Sequence, residues 1–235
     1  TKRQLITQKK AKMIKKTAAK TTRTRAKPKP KPKPRAKTVK AKRQPFISVL
    51  TATNGTGKSY FVKNLLKKEK KVLVVLESDR AEIWQDYEEI VNIENSKNFQ
   101  YQGVKKILAI RHDKDWLLNI IKNFRNGVVV FDDAGHYVSP NIEHTKGLKS
   151  LLIDYRHLGT DFFFMFHSPS QCPPKIYSHA KYLFVGKTKA FLSKSSQLAK
   201  AEEIRAAQIE VNTAFDSSNG VGADGKKGIF KMIEL

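Results

Sequence analysis

The stretch TATNGTGKSY, residues 51–60, comes directly after the apolar run FISVL, residues 46–50. An apolar run of this length bounded by a glycine loop reads as a buried strand, and the loop reads as the opening of a helix over 58–68. The loop nearly spells G-x-x-x-x-G-K-[ST], with Ala52 at the first glycine position. Such a loop turns successive backbone N–H groups inward onto an anion, and Gly55 and Gly57 permit the dihedrals this requires. The first position asks for a small residue at the strand-to-loop turn, and alanine adds only a methyl. Lys58 is placed to reach the β- and γ-phosphates of ATP, and Ser59 to offer its hydroxyl to Mg²⁺. The expected nucleotide contacts are Thr53, Asn54, Gly55, Thr56, Gly57, Lys58, Ser59 and Tyr60. A glycine turn can match by chance, but a strand before it and a helix after it are the context the motif needs.

Apolar runs and helical segments alternate along the rest of the chain. Residues 72–76, 106–110, 128–131, 162–166 and 182–185 read as strands, with a closing strand at 229–233. Helices are expected at 115–124, 145–157 and 197–211, the first with Trp116, Ile120 and Phe124 on one face. The segment DSSNGVGADGKKG, 216–228, reads as a hairpin or linker. Continuous apolar strands separated by helices predict a mainly parallel sheet covered on both faces. The strand at 128–131 ends in Asp132-Asp133. With a phosphate loop upstream, Asp132 is the expected Mg²⁺ partner and Asp133 the base that orients the attacking water. An acid in that place favours hydrolysis over transfer to a small substrate. Alone, an acid-capped strand is common and could serve only a turn or a helix cap.

A third stretch, LLIDYRHLGTDFFFMFHSPSQCPP, 151–174, runs through Arg156, a turn at Gly159, a buried strand and the polar end His167-Ser168-Pro169-Ser170. With the two motifs above, this order resembles the FtsK–HerA branch of P-loop ATPases, although His167 stands where relatives commonly have Gln. The resemblance covers about residues 46–187. It implies a RecA-like P-loop NTPase of the ASCE type, with strand order 5-1-4-3-2 and the histidine-tipped strand between the other two motif strands. It also implies that His167 senses the γ-phosphate and that Arg156 reaches the neighbouring subunit's nucleotide. Taken alone, His167 is a structural strand-end histidine, and Arg156 is a helix-end arginine with Arg111 and Arg205 as competitors. Members of the branch are ring-forming DNA motors, so ATP would be hydrolysed at the subunit interfaces of a homo-oligomeric ring, a hexamer among its candidate forms.

Charge divides the chain in two. Residues 1–45 hold 19 Lys/Arg and no acid, while 46–235 hold 27 basic and 21 acidic residues. The repeat KPKPKPKP at 27–34 forbids helix, and the 1–45 arm is expected to be disordered when free. Its partner is a polyanion, DNA first, with binding that weakens steeply with salt. DNA contacts are also expected at a central pore, with candidate loops between the two motifs and at 141–149. Residues 46–235 are the expected ATPase domain. A lone cysteine, Cys172, excludes an intrachain disulfide and points to a reducing compartment. No apolar run approaches the about 18 residues of a membrane span. The 50 residues after Val185 leave little room for a winged helix beside the helix already there. A bare core with a basic arm is similar to the viral genome-packaging ATPases of this branch. The expected setting is therefore host cytoplasm or virion rather than secretion, with capsid or vertex proteins as further partners. Three readings compete: a phage assembly or secretion ATPase or cellular translocase of the branch, a P-loop nucleoside kinase, and a non-enzymatic virion component that condenses nucleic acid.

Overall fold

The computed structural model describes residues 44–235, apart from 80, 139–144, 194, 195, 197, 199 and 222–227. The 1–45 arm, but for its last two residues, and the first part of the 141–149 loop lie outside the described residues. Seven strands form one sheet: β1 (Ile47–Thr51), β2 (Lys71–Leu76), β3 (Gly103–Leu108), β4 (Val128–Phe131), β5 (Asp161–Phe166), β6 (Ala180–Val185) and β7 (Lys231–Glu234). Their order is β3-β2-β4-β5-β1-β6-β7. Every pairing is parallel except that of β7 with β6. The inner run β6-β1-β5-β4-β2 is the expected 5-1-4-3-2 order, with β3 and β7 added at the edges. The histidine-tipped strand β5 lies between β1 and β4, as the motifs implied.

The helices are α1 (Lys58–Leu65), α2 (Lys114–Ile121), α3 (Lys146–Leu158), α4 (Pro174–His179) and α5 (Ala201–Ser217). Strands β1, β4 and β5 are buried along their whole length, as continuous apolar runs demand of a sheet covered on both sides. On one face Val49, Val75, Val129, Phe131, Phe162 and Phe164 meet buried residues of α2, α3, α4 and α5. On the other, Leu50, Val74, Val130, Phe163 and Met165 meet Val62 and Leu66 from α1 and its extension, together with Trp84.

Several boundaries differ from the expected ones. β3 begins at Gly103 rather than 106, and Ala109–Arg111 is a 3₁₀ turn, because β2 pairs with β3 across all six residues. In α2 the buried stripe is Leu117, Leu118 and Ile121, whereas Trp116 and Ile120 are half-buried flanks. The helix ends at Ile121, so fully buried Phe124 reaches the core from the following turn. α5 is displaced toward the C-terminus and takes in Asp216 and Ser217, which the sequence reading assigned to a linker. Its Gln208 and Asn212 bond Thr188, and the neighbouring Lys187 carbonyl accepts the Thr53 N–H. This helix therefore also fastens the strand exit beside the phosphate loop.

Candidate active site

β1 delivers the loop at the carboxyl edge of the sheet, where β4 and β5 also end. Gly55 and Gly57 adopt φ +77° and +89°, left-handed values that side chains resist, and α1 starts directly after Gly57 with no side-chain cap. The first N–H groups of a helix have no partner within it, so this uncapped end is an anion cradle. Ala52 is fully buried, and its N–H donates to the Phe166 carbonyl at 3.0 Å. Its methyl fits because Gly186 lies opposite: a Cβ there would stand 2.7 Å from Ala52 Cβ and 2.5 Å from the Phe230 ring. The missing glycine of the loop is thus matched by a glycine at the exit of β6.

Lys58 is 6% exposed, and its Nζ donates to the Ala52 carbonyl at 2.8 Å and to Asn54 Oδ1 at 3.0 Å. His167 Nδ1 lies 3.1 Å from the same Nζ. An ammonium can only donate, so Nδ1 is the acceptor and the proton of the neutral ring sits on Nε2. That Nε2 faces Asp133 Oδ1 at 3.3 Å, and Lys58 Nζ is 3.9 Å from the same oxygen. Burial, and next the Lys58 charge, hold His167 below the usual imidazole range, in keeping with this neutral tautomer. Burial also lowers the Lys58 ammonium, against the opposing pull of Asp133 and Asp132.

Asp132 is 7% exposed, and its Oδ2 accepts from Ser59 Oγ at 3.1 Å and from the Trp84 indole N–H at 2.8 Å. The Tyr137 hydroxyl donates to its backbone carbonyl. Burial raises the Asp132 carboxyl and the neighbouring Asp133 charge adds to this; Trp84, Ser59 and Lys58 pull the other way. Asp133 turns the chain with φ 53°, a left-handed value that costs a non-glycine residue of order 1–3 kcal/mol. Its Oδ1 is buried without an aligned hydrogen-bond donor, although His167 Nε2 lies 3.3 Å away. A carboxylate that is strained and lacks an aligned donor keeps an acceptor oxygen open at the cavity.

Two cavities meet at Asp133. One, of about 450 Å³, is lined by Asn54, Gly55, Ser59, Glu77, Asp132 and Asp133, the other, of about 500 Å³, by Asp133, His136, His167, Gln171 and Cys172. Glu77, at the end of β2, pairs with His136 at 2.9 Å. Among the described residues no three His, Cys, Asp or Glu side chains form a metal cage. A divalent ion here would draw on Ser59, Asp132, phosphate oxygens and water. That suits Mg²⁺, which keeps much of its hydration and takes few protein ligands.

Of the expected site residues, Lys58, Ser59, Asp132, Asp133 and His167 converge, and Thr53 to Gly57 form the loop around them. Tyr60 is 41% exposed on α1, beside the loop. Arg156 is elsewhere: it is exposed in the last turn of α3, donates to the Tyr155 hydroxyl at 3.0 Å, and precedes β5 at the opposite edge of the sheet. A six-residue strand, roughly 20 Å, separates it from its own loop. Arg111 pairs with Glu89 at 2.7 Å, and Arg205 donates to the Ser193 carbonyl at 3.0 Å. Glu77 and Tyr137 lie in no motif of the sequence, and neither does Trp84. Nothing in the local sequence around Trp84 places its indole on Asp132, which lies 48 residues on.

No protein-family model matches the sequence, and no curated protein matches it. Solved structures match its fold. The genome packaging NTPase B204 from Sulfolobus turreted icosahedral virus 2, in complex with AMPPCP, superposes with TM-score 0.56 at 15% identity, over 81% of this chain and 92% of that one. Its sulfate complex gives TM-score 0.56 at 16% identity, over 82% and 92%. The DNA-packaging ATPase B204 from Sulfolobus turreted icosahedral virus gives 0.52 at 16%, over 70% and 89%. The RecA-like P-loop fold implied by the motifs is the fold of this chain, and viral packaging NTPases are its structural neighbours.

Proposed function

We propose that this chain is an ATP-driven DNA motor that packages a viral genome, hydrolysing ATP at the subunit interfaces of a homo-oligomeric ring. The observation that carries the reading is the division of the expected machinery. Phosphate loop, acids and His167 gather at one edge of the sheet, and Arg156 is exposed at the other, about a strand length from its own loop, so on this reading it serves a neighbouring copy's nucleotide. The likeness in fold to viral packaging NTPases supports the same reading, as does the acid-free basic arm.

In the working site the N–H groups of residues 54–58 hold the β- and γ-phosphates. Lys58 exchanges its bonds to Ala52 and Asn54 for phosphate oxygens. Mg²⁺, held by Ser59 and by Asp132 directly or through water, supplies charge neutralisation. Asp133 orients the attacking water and takes its proton. His167, which bonds Lys58 through Nδ1 and turns Nε2 toward Asp133, registers whether Lys58 is engaged with a phosphate. Arg156 from the next subunit neutralises charge that develops on the transferring phosphoryl group, a contribution of ~10³–10⁵ in rate for such arginines. The arm holds DNA by its phosphates, and the protein works in the host cytoplasm or the virion, where capsid or vertex proteins meet it.

The test is the ATPase rate of the full chain with and without double-stranded DNA at low and at physiological salt. DNA-stimulated hydrolysis, with half-maximal DNA concentration rising with salt, is the expected result. A rate unaffected by DNA at both salts overturns the motor reading, and phosphorylation of a free nucleoside would replace it with a kinase.

A further inference from the structure

Asp132 carries a buried carboxylate in a site that must accept and release a cation with each turnover. The side chain facing it from outside the two motifs is Trp84, 1% exposed, whose indole N–H donates to Oδ2 at 2.8 Å. Ser59 donates to the same oxygen at 3.1 Å, so the two donors together fix the rotation of the carboxylate about its last bond. An indole nitrogen donates and cannot accept, so this bond exists only while Oδ2 stays an acceptor. Trp84 itself is held rigidly. It ends a 3₁₀ turn whose Ile83 carbonyl accepts from Lys63 on α1 at 3.0 Å. The next carbonyl, Gln85, accepts at 3.2 Å from Lys106 on β3, and Lys106 also pairs with Asp79 at 2.7 Å. Lys106 is buried, unusual for a lysine on an edge strand, and its place is explained by this clamp. The ring further contacts Tyr87, with centroids 6.0 Å apart.

We propose that Trp84 is a positioning residue for the divalent cation: its indole N–H, braced from α1 by Lys63 and from β3 by Lys106, holds Asp132 in the rotamer that receives Mg²⁺. The inference rests on the ATPase reading and concerns this chain's own residues. Trp84→Phe keeps an aromatic ring in the core and deletes only the donor. In the full-length protein, the Mg²⁺ concentration giving half-maximal ATPγS binding is expected to rise about tenfold, the size of a lost charged hydrogen bond of ~1.4 kcal/mol. ATPγS affinity without Mg²⁺ is expected to change less than about twofold, because the phosphate cradle is untouched. A purely structural tryptophan would move both affinities together or neither, and either outcome overturns the proposal.

A second measurement does not depend on the fold surviving that substitution. The chain has two tryptophans, so Trp116→Phe leaves Trp84 as the sole emitter. Adding Mg²⁺ to this protein with ATPγS bound is expected to shift the Trp84 emission saturably, with the midpoint of the binding curve. An emission that ignores Mg²⁺ overturns the proposal. Wild-type protein that binds no ATPγS at any Mg²⁺ concentration overturns both this inference and the ATPase reading, whereas wild-type binding with an unshifted Trp84→Phe midpoint overturns the role of Trp84 alone.

Discussion

The two edges of the sheet handle buried carboxylates in opposite ways. At the amino edge, Asp161 opens β5 and its Oδ1 accepts the backbone N–H of Phe46 at 2.9 Å, tying β5 to the residue before β1. At the carboxyl edge, the Asp132 carboxylate accepts from the side chains of Ser59 and Trp84, and Asp133 next to it is strained and lacks an aligned donor among the described residues. A backbone partner cannot turn away without undoing the strand, so the first arrangement is architecture. Side-chain partners can turn, so the second can exchange a donor for a ligand. Asp161 serves the architecture and Asp132 and Asp133 are placed to exchange partners, a division expected where activity requires groups held out of their preferred state.

The largest effects of substitution are expected at the carboxyl edge. Lys58→Ala should lower ATP turnover by roughly 10²–10³ or more, the scale of losing one preorganised charge donor, and Asp133→Asn should lower it by ~10²–10⁴ while ATP still binds. Steady-state turnover set beside equilibrium nucleotide binding checks both. If either variant kept wild-type turnover, the converging residues would not be the hydrolytic site. Arg156→Ala should abolish most turnover without weakening ATP binding, although Arg156 stands about a strand length from its own loop. Mixing Arg156→Ala with Lys58→Ala subunits should restore part of the activity, since some interfaces then pair an intact loop with an intact arginine. No recovery in mixed assemblies would remove the subunit-interface reading.

Smaller effects sharpen the contrast between readiness and stability. Gly186→Ala forces a Cβ against Ala52 and Phe230 and should cost ~1–3 kcal/mol, with part recovered by adding Ala52→Gly. Chemical denaturation of the single and double variants measures the coupling. Asp132→Asn should leave the nucleotide-free protein at neutral pH more stable, since it removes a buried charge and keeps the shape. The direction follows from linkage. Asp132 has a raised carboxyl pKa in the fold, so its ionisation opposes folding, and stability falls as pH rises from the unfolded value through the folded one. Melting curves of wild type and Asp132→Asn should therefore diverge as pH rises, and parallel curves would count against a raised pKa.

Much of this was open to reading in the chain. The strands β1, β4 and β5 are continuous apolar runs, and the loop and the acid pair sit at their ends by sequence adjacency alone. Local rules failed where a partner strand or helix sets a boundary. Pairing with β2 drew β3 three residues earlier than its most apolar stretch, and the early end of α2 left Phe124 to reach the core from a turn. The six-residue helix α4, which opens on Pro174, gave no periodic signal long enough to recognise.

The sequence by itself determined that a phosphate loop, two acids and a histidine would stand at strand ends, because each motif is contiguous and its spacing is covalent. Tertiary structure alone decided which groups share one carboxylate. Strand order brings β5 between β1 and β4 and so places His167 between Lys58 and Asp133. The packing of residues 82–87 against α1 and β3 brings Trp84 to Asp132, and the exit of β6 sets Gly186 opposite Ala52. These contacts join residues 34–134 positions apart, and their geometry is a property of the packed sheet, where directional hydrogen bonds and close packing leave one arrangement.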